Sequence, residues 1–303
     1  MRTNGKELTL TVIIPVSRLT WLRDCMDSVQ LAVQESKLET NVLLVDTRGI
    51  FNQDLQELIS DYSTEIKLHN LPGATYSEVL DYSKSHIDSR FVALMNDDDL
   101  VSRGRFLNQY KQIVAYDADV CIGKFRRLGA MSFSFNLQPF KTFSYEMLFL
   151  GPYCANATWL LSAAYFKSLP SLASKNWDWN IALKNLNCAQ VTYLPHVVYF
   201  YRQHDGQVTR KPEYRLELFE SVYPQWRESF RLSYGFEPST KAIKAVGFPY
   251  LPNDVRLRDL LQVLKIFWSL RNSFVKAPLW MTYHFLVRLA YFSKHYLKAK
   301  NAI

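Results

Sequence analysis

The sequence predicts an α/β fold: a Rossmann-like, doubly wound and mostly parallel sheet with a helical C-terminal extension. The first 130 residues alternate short β-branched runs with segments of helical period, the order that joins parallel strands through crossover helices. Beyond residue 130 the pattern turns irregular and aromatic, and beyond residue 212 it reads as helical to the end. A chain of 303 residues, 48% hydrophobic and 21% charged, has globular composition and the length for one large domain with an appendage.

The elements follow in order. "LTLTVIIPV" (8–16) reads as a strand, and "TWLRDCMDSVQLAV" as a helix with Leu22, Cys25, Met26 and Val29 on one face. "TNVLLVD" is a second strand, "NQDLQELISDY" a helix opened by Asn52, "EIKLHN" a strand, "TYSEVLDYSKSHI" a helix and "RFVALMN" a fourth strand. "RGRFLNQYKQIV" reads as the helix after it. Further on, "NWDWNIALKNL" reads as a helix, and "AQVTYLP" and "VVYFYRQH" as two strands. The expected domains are residues 1–210 for the sheet and 211–303 for the extension.

Four cysteines, Cys25, Cys121, Cys154 and Cys188, are widely spaced without a C-x-x-C pair. That argues against a zinc ribbon or a disulfide framework and for a reducing cytoplasm. Pro15 ends the N-terminal apolar run early and no small-residue cleavage site follows, so no secretory signal is expected. The longest charge-free apolar stretch, Ala277 to Val287, falls short of the ~20 residues that span a bilayer.

The formal net charge is +8, and residues 256–303 hold nine Lys and Arg against one acid, Asp259. The basic character therefore belongs to the tail rather than to the sheet, which disfavours nucleic acid as partner. In "RLRDLLQVLKIFWSL", Leu257, Leu260, Leu261, Leu264, Phe267 and Trp268 recur at helical spacing opposite Arg258 and Lys265. Aromatic and basic residues continue beyond Pro278, the composition of a helix lying in a membrane interface. Attachment to an anionic membrane, at the inner face of the cytoplasmic membrane, is one expectation. Packing on the main domain, or pairing in a dimer, is the other.

Doubly wound sheets bind ligands at the carboxyl ends of their strands. Three ends stand out: Pro15 to Ser17, Asp46 to Arg48, and Asn96 to Asp99. No G-x-G-x-x-G or G-x-x-x-x-G-K-[ST] follows a strand, which disfavours a dinucleotide site or a P-loop. The third end, "LMNDDDL", sets three carboxylates side by side, where like charges repel unless a cation offsets them. A divalent ion held there could supply the positive charge that a diphosphate needs. The alternative is an acidic cap on the following helix.

Together "TVIIPV", a second strand ending in Asp46, the Asp cluster after the fourth strand, the helix start "WDW" and "YFYRQHDGQVT" resemble a family 2 glycosyltransferase of the GT-A fold, inverting and of the bacterial surface-glycan type, over roughly residues 9–210. The resemblance implies a metal-dependent enzyme that moves a sugar from a nucleotide-diphosphate donor, UDP foremost, to a glycan or lipid-linked glycan. In that family a DXD motif holds Mg²⁺ or Mn²⁺ on the diphosphate, and the ion stabilises charge developing on the leaving group. Asp97 and Asp99 have the D-x-D spacing with Asp98 between them, while a D-x-D-D alignment puts Asn96 and Asp98 at the pair. The implied metal ligands are Asp97, Asp98, Asp99 and His204.

Nucleotide contacts are implied for Pro15, Asp46, Asp97, Arg202 and His204, with Thr209 on the same loop. Asp46 matches the position that reads the nucleobase, although it also suits an Asx-turn, and Thr47 stands where a second aspartate is usual. Glu78 and Val79 replace an Arg-Asn pair of the third helix. The general base of the inverting reaction comes from an E-D pair at a helix start. Strict spacing puts Asn176 there, and since an amide is no base at neutral pH, Asp178 between Trp177 and Trp179 is the candidate. An aspartate there also suits the helix dipole, and a loop histidine such as His204 also suits simple solvation. Asn96 and Asn176 motivate the second reading, a catalytically silent module that binds nucleotide sugar or glycan.

Overall fold

The computed structural model describes residues 9–49, 53–128, 156–171 and 189–206, with isolated positions between 224 and 268. The chain groups into two compact units, residues 1–136 with 154–204, and residues 137–153 with 205–303. The sheet lies in the first.

Its parallel half is built from β1 (Leu10–Val16), β2 (Thr40–Asp46), β3 (Glu65–Asn70) and β4 (Phe91–Leu94), joined by α1 (Leu22–Ser36), α2 (Gln53–Ser60) and α3 (Tyr76–Ser83). β1 lies between β2 and β4, and β3 lies outside β2. Leu10, Val12, Ile13, Ile14 and Val16 of β1 are all buried, as expected of a central strand with both faces covered. α1 buries Leu22, Cys25, Met26, Val29 and Ala32, the face that the spacing predicts. α3 opens on a capping box: Glu78 N–H donates to Thr75 Oγ1, and Thr75 N–H donates to the Glu78 carboxylate at 2.7 Å. The 3-10 turn Lys84–His86 extends it.

The other half is mixed, antiparallel in its three short pairings and parallel in the fourth and longest. β5 (Leu100–Val101), α4 (Arg105–Ala115), β6 (Val120–Leu128), β7 (Trp159–Ser162), α5 (Ala163–Ser168) and β8 (Val191–Arg202) follow. Among the described residues the sheet has eight strands in the order β3-β2-β1-β4-β7-β6-β8-β5. β6, β7 and α5 were not expected from the sequence. β7 and α5 have four and six residues, too few to display a period, and β6 ends in the polar run "KFRRL".

The two strands expected at 189–195 and 197–204 are one strand, β8. Its pairing with β6 jumps from Ile122↔Tyr193 to Lys124↔Val197, so the bulge takes up Pro195, whose missing N–H could not serve a regular ladder. Gly123 sits opposite, where a Cβ would come within 2.3 Å of Val198; only glycine lets the strands approach this closely.

In the second unit the described positions at 224–231 and at 261–268 are helical. Ile266 is buried there, while Leu261, Leu264 and Trp268 are exposed. Among the described residues no helix is long and apolar enough to cross a membrane.

Candidate functional site

β1 and β4 pair only as far as Ile13 and Leu94, with Met95 N–H donating to Ile13 O at 3.0 Å just beyond. From there β1 runs on into the loop before α1, and β4 into the three aspartates. The connection from β1 goes to β2 on one side, and the connection from β3 crosses to β4 on the other, so this is the switch point of the sheet. Pro15 faces the side on which β4 has ended, so its missing N–H removes no ladder bond.

The three carboxylates are held differently. Asp97 turns back toward β1: its Oδ2 accepts Ser17 N–H at 2.6 Å, Ser17 Oγ–H at 2.9 Å and Arg18 N–H at 2.9 Å. Asp99 turns inward. Its Oδ2 accepts the Tyr199 hydroxyl and Asn96 Nδ2 at 2.9 Å, and its Oδ1 accepts Arg202 N–H at 2.7 Å. Asp98 Oδ2 faces His204 Nε2 at 3.0 Å and Arg18 Nη1 at 3.8 Å. Their exposures are 4% for Asp97, 9% for Asp98 and 0% for Asp99, so of the three carboxylates Asp98 is the most open to a ligand.

β8 delivers the far side. Arg202 Nε donates to Asp98 O and its Nη2 to Asp24, both at 2.9 Å. Trp21, just before α1, is the common platform. The His204 ring lies 4.2 Å from it, and the guanidinium groups of Arg18 and Arg202 stand 5.9 and 5.8 Å from its centre. Cys25 of α1 donates its thiol to Asn96 O at 3.3 Å and fixes the other flank.

One strand over, Asp46 pairs across from Val16. Arg48 grips it with a fork, Nε to Oδ1 at 2.9 Å and Nη2 to Oδ2 at 2.7 Å, and adds its own N–H at 3.0 Å. Thr47 does not supply a second carboxylate; its hydroxyl donates to Val16 O at 3.0 Å. The Asx-turn expected of Asp46 is present and carries an ion pair besides.

By sequence the chain matches no family model and no curated protein. Solved structures do resemble it. S. aureus TarS 1–349 superposes with a TM-score of 0.57 at 15% identity, over 90% of this chain and 82% of that one. The same fragment in complex with UDP-GlcNAc gives a TM-score of 0.60 at 15% identity over the same shares. The mannosyltransferase PcManGT from Pyrobaculum calidifontis, in complex with GDP-Man and Mn²⁺, gives 0.56 at 13% identity, over 96% of this chain and 84% of that one. The chain has the GT-A glycosyltransferase fold.

Within the GT-A fold, Pro15, Asp46, Asp97, Asp98, Asp99, Arg202 and His204 gather at the carboxyl ends of β1, β2 and β4 and the end of β8. Asp178, its neighbours Asn176, Trp177 and Trp179, and Thr209 lie outside the described residues. Sequence reasoning missed Arg18, Trp21, Asp24, Arg48 and Tyr199. The roles of Arg18 and Arg48 were within reach, since Arg18 follows one strand end already singled out and Arg48 closes another. Tyr199 was not, because its partner is 100 residues away.

The electrostatics separate the two strand ends. Burial pushes the Asp99 carboxyl up to about 6, with the charge of Asp98 adding to it and the bonds from Tyr199, Asn96 and Arg202 opposing it. Burial also raises Asp97, against the pull of Ser17 and Arg18 N–H. At Asp46 burial again acts upward, but the combined bonds and charge of Arg48 win and leave the carboxyl below its ordinary value.

The donor set can be tested against the divalent ion that the resemblance implies. Among the described residues no three His, Cys, Asp or Glu side chains could hold an ion by themselves. Asp98 Oδ2 and His204 Nε2, 3.0 Å apart, form a two-donor pair, and adjacent ligands ~2.1 Å from an octahedral ion stand ~3.0 Å apart. Ions of this class take one or two protein ligands and leave the rest to phosphate and water. The residues present fit the group, and the imidazole suits Mn²⁺ better than Mg²⁺.

Proposed function

We propose that the protein is an inverting glycosyltransferase that takes a sugar from a nucleoside-diphosphate donor and adds it to a glycan or lipid-linked glycan. The observation that carries the reading is the meeting of Asp98 and His204, 106 residues apart in sequence, at the switch point of a GT-A sheet. Asp98 and His204 are the proposed direct ligands. Asp97, held through its Oδ2, and Asp99, held through both oxygens, fix the loop that presents Asp98. This shifts the weight from the literal D-x-D pair to its middle residue. Bound there, the ion would act as a Lewis acid toward the leaving diphosphate.

The chain's own groups supply the rest. Asp46, locked by Arg48, offers a fixed carboxylate at the end of β2 for a base N–H, and Pro15 is the proposed nucleotide contact at the end of β1. Arg202, braced on Trp21 and Asp24, places a guanidinium at the diphosphate end. Asp178 would take the proton of the acceptor hydroxyl as that oxygen attacks the anomeric carbon. The donors in the TarS and PcManGT structures make UDP and GDP sugars the two classes to try, UDP first. Domain limits of 1–210 and 211–303, and a cytoplasmic location with the basic tail on an anionic membrane, belong to the same proposal. The exposed Leu261, Leu264 and Trp268 support the tail's role.

A screen of UDP, GDP and their sugars with Mn²⁺ or Mg²⁺ tests the reading, because a ligand of the native state raises its melting temperature by mass action. Slow metal-dependent release of nucleotide without acceptor marks the enzyme. Stabilisation without any turnover would favour the silent module that Asn96 motivates, and no response to any diphosphate would refute both. Flotation with anionic but not neutral vesicles, reversed by salt, is the expected result for the tail; equal flotation would refute it.

A further inference from the structure

Arg18 has no part in the expectations drawn from sequence, yet its guanidinium points at the atoms proposed to hold the ion. Its Nη1 lies 3.8 Å from Asp98 Oδ2 and 3.4 Å from His204 Nε2, and those two atoms are 3.0 Å from each other. One guanidinium nitrogen thus stands over the proposed ligand pair. Its Nε is 3.9 Å from Asp97 Oδ1 and 3.5 Å from Ser17 Oγ. All four separations are long beside the ~2.7–2.9 Å of a charge-assisted bond, and long beside the 2.7 and 2.9 Å of the Arg48 fork on Asp46. Arg18 is near its partners without being locked to them, and its side chain is 26% exposed.

The His204 nitrogen sharpens the point. Nε2 can donate a proton to Asp98 or accept one from Arg18, but it has one site for both. The lone pair that would accept from Arg18 is the same one that would bind a metal. A guanidinium and a divalent ion cannot both occupy that position, since each is positive and each uses the same two atoms.

We propose that Arg18 is a displaceable counter-cation: it neutralises Asp97 and Asp98, yields the Asp98–His204 pair to the divalent ion, and then pairs with the diphosphate of the donor. The inference rests on the nucleotide-sugar reading above. Arg18 is rooted in the loop between β1 and α1 and lies against the Trp21 ring, so turning toward a bound anion requires only side-chain rotation. Its planar fork matches phosphate oxygens. One residue thereby weakens metal binding alone and strengthens diphosphate binding with metal, which couples the two ligands.

The test uses the full chain and two readouts besides activity: Mn²⁺ binding without nucleotide, by electron paramagnetic resonance to millimolar ion, and UDP or GDP binding at saturating Mn²⁺, by calorimetry. Removing a cation beside the ligands should tighten Mn²⁺ alone in Arg18→Met by about tenfold, while weakening the diphosphate by about tenfold. Arg18→Gln, equally uncharged, should move both affinities in the same directions and serves if the Met variant does not fold. Opposite signs are the signature, because a merely structural lesion would weaken both. If Mn²⁺ affinity is unchanged or weaker in the variants, or neither wild type nor variant binds Mn²⁺ alone, the role of Arg18 is overturned. If wild type binds no diphosphate even with Mn²⁺, the glycosyltransferase reading falls first, and this inference with it.

Discussion

Asp46 and Asp99 occupy matching stations, one at the end of β2 and the other just past β4, and are almost equally buried at 3% and 0%. Yet they are driven in opposite directions, Asp46 below its ordinary carboxyl value and Asp99 up to about 6. Asp46 meets a whole guanidinium two residues on. Asp99 meets neutral donors and lies beside another carboxylate, while the guanidinium of the nearby Arg202 is spent on Asp24 and Asp98 O. A carboxylate that already has its counter-ion is a rigid post. A crowded cluster whose partners are mostly neutral keeps an unmet demand for positive charge, and that demand is available to a ligand.

The comparison predicts unequal losses. Asp98→Asn should abolish Mn²⁺ binding and lower nucleotide-sugar turnover by at least ~100-fold, the scale of a removed transition-state charge contact. Asp46→Asn should act mainly on nucleotide affinity and leave kcat within a few-fold. Equal effects in kcat would break the division into a metal end and a base end. Steady-state kinetics with metal titration decides it.

The next effect is on stability. Tyr199→Phe removes the hydroxyl that donates to Asp99 and accepts from Asn96, leaving the buried Asp99 and the half-buried Asn96 each short of a partner. A cost of about 1–3 kcal/mol is expected, read as a lower denaturation midpoint at unchanged slope. A shift within error would mean that Asn96 and Arg202 satisfy Asp99 alone.

The same two stations mark what sequence could and could not reveal. The Asp46–Arg48 end is local: strand "TNVLLVD" matched β2 residue for residue, and an Asx-turn follows from an aspartate leaving a strand. Its ion pair was legible in principle, because both partners lie within one turn. The cluster at 97–99 was visible as an anomaly, three like charges after an apolar run, but its organisation was not. Ser17, Tyr199, Arg202 and His204 reach it across 80 to 106 residues, and only the sheet order brings them together. The D-x-D spacing therefore pointed to Asp97 and Asp99, whereas backbone and hydroxyl donors fold those two inward. The parallel half of the sheet was read almost completely, since β1 and β2, seven residues each and almost wholly buried, carry their own signal. The mixed half was read poorly, because Gly123 and Pro195 interrupt its long parallel pair, β6 and β8, and β7 is short.

The smallest expected effect tests the Asp46 station itself. Because its folded value lies below the unfolded one, Asp46 contributes stability that is fully present above the unfolded value of about 4 and is lost as pH falls through the folded value. Arg48→Met removes the fork and leaves burial to act alone, which raises the carboxyl and reverses the sign. The variant should then lose about 1–2 kcal/mol near neutrality, while at pH 3, where Asp46 is largely protonated in the variant, the deficit should shrink. Melting temperatures of both proteins from pH 3 to 7 should therefore diverge as pH rises and run parallel once both carboxyls are ionised. A deficit that stays constant across that range would show that Arg48 contributes packing rather than charge, and the two aspartate stations would no longer differ in kind.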